Sequence, residues 1–451
     1  MRNIGMLQEA DIDVSGLVVI AGENDTGKST IGKLIYSIVR AFSKYEDEFE
    51  EDRLKSLLNL AEEIYFKIRS EVDFKENPTL RSSFGIEFFD EITNAEKLEN
   101  MIIIIEDKRQ LLNSVELDEE IKTWIDKKFI EMIEIVHLNL EDNLVKQQAL
   151  NKVLSSEFDG QIKNKFLDGE AKVTGYEGSN QLFSFKLNDE ETINFQYNDQ
   201  LYFTEVIYLE SPYVLQFKNQ SSAYRTSSRG LFLPPVRQKV QSVFPLHIYD
   251  LFSIMNQRPI VDYSLTDVVN QKVDVRKKIN QLISEIIGGN FSFNQEKKEF
   301  LYKRNVSSQS VDVKLNNIAT GIKSFGILQL LTQVIPTPSR SILTIDEPEV
   351  HLHPNWQIKY AQLLVLLVKE LDITIIVNSH SPYFIEAMKV YSDKYNLDKK
   401  TKFYLTEKNE SNYSSTVKNV TNELEVIFEK LTEPFMDLES LILGDEDDDD
   451  N

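Results

Sequence analysis

Two hydrophobic periods divide the chain. The apolar run Gly16-Leu-Val-Val-Ile-Ala21 reads as a short buried strand, and Ile31, Leu34, Ile35, Ile38, Val39 and Phe42 recur at helical spacing just after it. Weak alternation over residues 3–14 predicts strands beside that first run. Three amphipathic helical faces follow. They comprise Leu54, Leu57, Leu58, Ala61, Ile64, Tyr65 and Ile68; then Leu98, Met101, Ile102 and Ile105; then Trp124, Phe129, Met132, Ile133 and Val136. Asn77-Pro78 marks a break, while Ile102–Ile105 fits a helix or a strand equally well. No heptad series is sustained, which argues against a coiled-coil arm.

From Gly169 the period becomes two. Ala171–Tyr176, Gln181–Leu187 and Thr192–Tyr197, with Gly, Asn and Asp turns between them, predict a β-meander that returns through Glu205–Pro212. Helical segments run on to about Ile287, and a hairpin is expected over Phe291–Val313. The last third alternates: strand Ile342–Ile345, helix Asn355–Leu371, strand Ile373–Val377, helix Pro382–Tyr391, strand Phe403–Leu405. Such alternation predicts an α/β fold with a parallel, helix-covered sheet.

Composition narrows the chemistry. At 451 residues the chain is expected to hold two or three domains, or one with large insertions. It has no cysteine, which excludes disulfides, thiolate nucleophiles and zinc–thiolate sites and fits a reducing, cytoplasmic setting. No run of about 18 apolar residues occurs, so no membrane span is expected. The net charge of −23 speaks against nucleic acid, yet Lys218–Arg304 holds 14 basic residues against 7 acidic ones. Arg225, Arg229, Arg237, Lys239, Lys272, Arg276, Lys277 and Lys278 fall there, so DNA or RNA stays open as a partner. The acid concentrates in Glu46–Asp52 and in Asp445–Asp450. The latter run is expected to project behind an amphipathic anchor of Leu438, Leu441, Ile442 and Leu443.

Between the first strand and its helix lies Gly22-Glu-Asn-Asp-Thr-Gly-Lys-Ser-Thr30, the setting a phosphate-binding loop requires. Glycines let backbone N–H groups curl around a phosphate, and the helix N-terminus adds partial positive charge. Gly22, Asn24, Asp25, Thr26, Gly27, Lys28, Ser29 and Thr30 are therefore the expected nucleotide-binding residues. Lys28 is expected at the β- and γ-phosphates, and Ser29 at Mg²⁺. Ser341-Ile-Leu-Thr-Ile-Asp-Glu-Pro348 ends a buried strand in two carboxylates. Asp346 suits the metal with Ser29, and Glu347 suits the attacking water, because successive strand side chains point apart. Ile375-Ile-Val-Asn-Ser-His380 ends a second strand, with His380 placed to sense a γ-phosphate. His351 and His353 make a poor zinc set and read as loop residues at a subunit contact. The motifs by themselves predict binding of a nucleoside triphosphate with Mg²⁺; ATP as that nucleotide, and its hydrolysis, are what the resemblance given next implies.

The order of these motifs resembles the ABC-type ATPases of the SMC, RecF and OLD kind. Within that group the chain is most similar to bacterial anti-phage defence ATPases, namely Septu (PtuA-like), retron- and PARIS-associated subunits. The resemblance covers about residues 1–45 and 205–405. It implies a P-loop head of the ABC type, split over those two segments, with an antiparallel β-subdomain and a parallel core sheet. It leaves 46–165 as an acidic helical insertion, 166–204 as the β-meander, and 406–451 as a C-terminal helix with an acidic tail. By the same resemblance Asn317–Gly326 stands where the family's signature motif lies, and Thr320, Gly321 and Lys323 would contact the γ-phosphate of an opposite subunit. The second glycine of that motif is missing, and no Q-loop glutamine is assignable near Glu210-Ser-Pro212. The resemblance implies a slow Mg-ATPase that dimerises around ATP and serves as sensor or scaffold for a separate effector nuclease. The alternatives are a DNA repair or recombination ATPase acting on DNA directly, and a nucleotide-locked structural subunit with little turnover. OLD enzymes carry a Toprim nuclease after the ATPase; only 71 residues follow His380, so no nuclease is expected in this chain.

Overall fold

The computed structural model describes residues 1–75, 78–95, 97–115, 117–139, 141–188, 192–216, 244–257, 272–294, 296, 299–306, 309–335, 340–409 and 411–446. They fall into two compact units. One draws on Met1–Ser43, Leu150–Gln220 and Ser242–Asn451; the other is built on Lys44–Ala149.

The first unit opens with β1 (Arg2–Ile4), β2 (Leu7–Glu9), β3 (Leu17–Gly22) and α1 (Lys28–Ser43). All six residues of β3 are buried, as an apolar strand covered on both faces must be. The second unit is helical: α2 (Tyr45–Glu71), α3 (Pro78–Ser83), α4 (Ile86–Thr93), α5 (Leu98–Asn113) and α6 (Glu119–His137). Its core joins Leu57, Ile64, Phe88, Ile105, Phe129 and Met132. The four isoleucines at 102–105 are helical, because burial falls on Ile105 and Leu112, two turns apart, while Ile103 faces solvent. Asp118 caps α6 by accepting from the Glu120 N–H at 2.8 Å.

The chain continues through α7 (Asp142–Phe158), β4 (Ala171–Glu177), β5 (Asn180–Leu187), β6 (Thr192–Tyr197), β7 (Glu205–Leu209), α8 (Leu246–Met255) and α9 (Lys272–Ile287). Then come β8 (Gly289–Asn294), β9 (Glu299–Val306), β10 (Gln309–Val313), α10 (Thr320–Val334) and β11 (Ser341–Asp346). Last are α11 (Pro354–Leu371), β12 (Thr374–Ser379), α12 (Pro382–Lys394), β13 (Thr401–Asn409), β14 (Ser414–Asn419) and α13 (Glu425–Glu446).

Among the described residues, eleven strands form one sheet in the order β6-β5-β4-β1-β2-β14-β13-β3-β12-β11-β7. From β13 to β7 neighbours run parallel, and the β4–β6 end is antiparallel. The hairpin expected over Phe291–Val313 is a separate antiparallel sheet of three strands. The fold is α/β, with helices packed on a core sheet that is parallel from β13 to β7.

Three boundaries differ from the sequence reading. The meander over 166–204 is continuous with the main sheet, since β4 pairs with β1 through Arg2 and Lys172. Residues 406–419 are sheet as well, because β13 runs beside β3 as far as Thr406 and folds back on β14. The C-terminal helix carries through to Glu446; of the expected anchor Leu438 is exposed, and the side chains of Leu441, Ile442 and Leu443 lie outside the described residues. Asp447–Asp450 lies outside the described residues, as do Lys218, Arg225, Arg229, Arg237 and Lys239. Arg276 is buried and donates to the Thr332 and Ile335 carbonyls at 2.6 and 2.5 Å, so it caps the end of α10 rather than joining a basic surface.

Candidate nucleotide site

Register brings the site together. Asp346 of β11 pairs with Asn378 of β12, Asn378 with Ile20 of β3, and Ser379 with Ala21. The carboxyl ends of three adjacent parallel strands therefore meet, at the edge where open α/β sheets bind ligands. The turn from β3 into α1 sits on that edge. Gly22 has φ +149° and Gly27 φ +83°; a Cβ on Gly22 would lie 2.0 Å from Thr406 Oγ1, and one on Gly27 2.9 Å from Leu7 Cδ2. Asp25 adopts φ +59°, a left-handed conformation that aspartate tolerates better than most residues. Asn24, Asp25 and Ser29 face solvent, and Thr30 is half-buried against Gly5.

The loop is fastened from below by residues that the sequence does not mark. Thr26 Oγ1 donates to the Glu23 carbonyl at 2.8 Å and lies 2.6 Å from Thr406 Oγ1. Ser415 Oγ donates to the Thr26 carbonyl at 2.7 Å. Lys430 meets Glu23 at 3.2 Å. Gly22→Ala is expected to cost on the order of 3 kcal/mol, from a forbidden φ and the clash with Thr406. A denaturation midpoint equal to the wild type would show that the cradle does not depend on this glycine.

Lys28 is buried. Its ammonium donates to the Gly22 carbonyl at 3.0 Å and the Glu23 carbonyl at 2.5 Å. Burial lowers its pKa, against the pull of Glu347, Asp346 and Glu349, so three carboxylates lie within electrostatic reach of it. Asp346 is buried too, and burial raises its pKa despite hydrogen bonds from Tyr208, Asn378 and Ser29. Asn378 also donates to the Lys28 carbonyl at 3.1 Å, tying α1 to the strand ends.

Glu347 stands at φ +44°, outside the usual range of a side chain, and its N–H donates to the Asn378 carbonyl at 2.9 Å. That kink turns it away from Asp346 and into solvent contact. His380 Nδ1 lies 3.5 Å from both Glu347 Oε1 and Glu349 Oε1. Glu349 is buried and accepts from Ser379 Oγ at 2.7 Å and from the His380 N–H at 2.9 Å. Its Oε2, Asn378 Oδ1 and Thr344 Oγ1 are buried without hydrogen-bond partners.

The signature residues lie elsewhere. Thr320, Gly321 and Lys323 open α10; Gly321 packs against the His351 carbonyl, Leu352 and Trp356, and burial lowers the pKa of Lys323. His353 caps α11, its Nδ1 accepting from the Asn355 N–H at 3.3 Å, and His351 packs edge-on against Tyr213. Among the described residues, no cluster of three or more His, Cys, Asp or Glu could hold a metal ion. Also among them, no helix is long and apolar enough to cross a membrane.

The residues fit a nucleotide with its magnesium ion. The donor set, a serine hydroxyl beside a carboxylate, is of the hard-oxygen kind that Mg²⁺ takes together with phosphate oxygens. The glycine cradle admits no Cβ at Gly22, and among the described residues no Lys or Arg forms an ion pair with the buried Asp346 carboxylate. Tyr208 and Asn378, which orient Asp346, were missed in the sequence. Their only signal is a polar residue at the end of an apolar strand.

The sequence matches the family AAA_15, "AAA ATPase domain", over residues 1–385, a span that includes the helical region. Among solved structures, the chain is similar to an SMC head bound to the C-winged helix domain of ScpA. Identity is 16%, over 39% of this chain and 55% of that one, with a TM-score of 0.25. The SMC head domain from Thermotoga maritima gives 15% identity over 62% of this chain and 88% of that one, with a TM-score of 0.29. A Pyrococcus furiosus Smc head domain with an extended coiled coil, bound to the C-terminal domain of ScpA, gives 9% over 91% and 64%, with a TM-score of 0.24. The chain thus spans about half the length of the first of these structures. No curated protein matches the sequence.

Proposed function

The chain belongs to the AAA ATPase domain family, and from that premise we propose that it is a Mg²⁺-dependent ATPase of the SMC, RecF and OLD kind that closes as a dimer around ATP. One observation carries the reading: Lys28, Asp346 and Glu347 converge on the carboxyl edge of adjacent parallel strands. The loop N–H groups and Lys28 bind the phosphates. Ser29 and Asp346 would hold Mg²⁺, which when bound neutralises charge developing on the transferred phosphoryl group. Glu347 takes a proton from the attacking water at a carboxylate oxygen, and His380 orients that carboxylate. Thr320, Gly321 and Lys323 serve the nucleotide of a second copy. The chain acts as sensor or scaffold for a separate effector nuclease in anti-phage defence; what supports this role is the motif order Gly22–Thr30, Asp346–Pro354, Asn378–Pro382.

The test is phosphate release by the purified chain with and without Mg²⁺, together with its mass in solution with and without ATP. Mg²⁺-dependent release and an ATP-dependent doubling of mass are expected. Binding without release would favour a structural subunit locked by nucleotide, and stimulation by DNA alone would favour a repair ATPase. A neighbouring nuclease gene would support the effector role.

A further inference from the structure

A buried polar cluster beside the site has no part in the scheme above. His247 of α8 is 1% exposed. Its Nδ1 lies 2.6 Å from Glu157 Oε2, and its backbone N–H donates to Glu157 Oε1 at 3.1 Å. The rings of Tyr208 and Tyr36 stand edge-on to the imidazole at 4.9 and 6.0 Å. With two tyrosine rings packed against it and one nitrogen tied, the ring is held in one orientation. Its Nε2 is buried without a hydrogen bond and points at Glu210 Oε2, 3.6 Å away.

Glu210 follows the last residue of β7 and is half exposed. Its other oxygen lies 3.5 Å from Lys33 Nζ. Lys33 is one helical turn beyond Ser29 on α1, so both look out from the same face. Tyr208, two residues before Glu210, shares its side of the strand and donates to Asp346. Glu210 is thereby set beside the Ser29–Asp346 pair. It stays ionised: the imidazole beside it, with Lys33, pushes its pKa down to about 2 against the opposing effect of burial. His247 itself is raised, since the two carboxylates together outweigh its burial, the largest single influence on it.

We propose that His247 is a positioning residue for ATP turnover: it fixes the Glu210 carboxylate at the metal edge of the phosphate site, where Glu210 accepts a hydrogen bond from a water on the nucleotide-bound Mg²⁺. This rests on the ATPase reading. Partners of metal-bound groups commonly change metal affinity or activity by 10–100-fold when removed.

Conservative variants separate this role from a structural one. The amide nitrogen of His247→Asn replaces Nδ1 and keeps the Glu157 bond; that of His247→Gln replaces Nε2 and keeps the donor toward Glu210. For His247→Asn and for Glu210→Gln, the half-saturating Mg²⁺ concentration is expected to rise about tenfold, and kcat to fall by a similar factor. ATP affinity without Mg²⁺ should hold. His247→Gln should recover most of both effects, and the double variant His247→Asn/Glu210→Gln should be no worse than either single. Equal losses in the Asn and Gln variants that follow a lower melting temperature, with Mg²⁺ dependence unmoved, would overturn the proposal. Additive losses in the double variant would do the same. If the wild type binds ATP without turnover, the ATPase reading alone fails, and the Mg²⁺ dependence of ATP binding must still rank the variants in this order. A wild type that binds no nucleotide sinks both.

Discussion

Lys28→Ala is expected to lower ATP affinity by at least about 100-fold, the scale of truncating one partner of a desolvated charge pair. Two features make the loss large. The ammonium is buried and held by the Gly22 and Glu23 carbonyls, so its position is fixed by the loop itself. It also stands before Glu347, Asp346 and Glu349, three carboxylates that would otherwise face incoming phosphates uncompensated. Lys408 is near enough to repel Lys28, but it belongs to the exposed end of β13 and not to the loop. Because burial costs this charge stability, the variant should melt no lower than the wild type. Calorimetric titration with ATP measures the effect; an unchanged Kd would remove Lys28 from the phosphate site.

The second large effect is on turnover. Glu347→Gln should keep ATP binding, lower kcat by about 10²–10⁴-fold, and accumulate the ATP-bound dimer. The amide is isosteric, so the bond from the Glu347 N–H to Asn378 and the kinked backbone at φ +44° are retained, while the proton acceptor is lost. Glu347 is the better candidate than Glu349, whose Oε1 is committed to Ser379 Oγ and the His380 N–H. Asp346 is committed in the same way, to Tyr208, Asn378 and Ser29. Phosphate release in single-turnover conditions and mass by light scattering report the two halves of the expectation. Release at the wild-type rate would exclude Glu347 as the proton acceptor.

What the sequence determined by itself was whatever local pattern controls. Leu17–Gly22 had to be a covered strand because it is apolar without alternation. Gly22 and Gly27 had to be glycines, because the turn takes φ values that other residues resist. The three helical faces in 54–136 were legible from spacing and became the core of the second unit, except that Leu98 and Trp124, counted in those faces, are exposed. The terminal pair Asp346-Glu347 announced itself at the end of an apolar run.

Tertiary structure decided the rest, because it depends on which distant segments lie side by side. Strand order is one such matter: nothing local places β13 beside β3, yet that pairing brings Thr406 under the loop at Gly22 and Thr26. It also draws 406–419 into the sheet, where the sequence reading had set a separate tail. The Ile102–Ile105 run became a helix through its neighbours' burial, since four isoleucines satisfy either period. Tyr208, Asn378 and His247 are ordinary residues in their own segments. Only a sheet with β11 between β7 and β12, and α8 beneath β7, turns them on one buried carboxylate and one exposed one. Their roles come from contacts spanning 32 to 138 residues of chain, a separation at which periodicity carries no information.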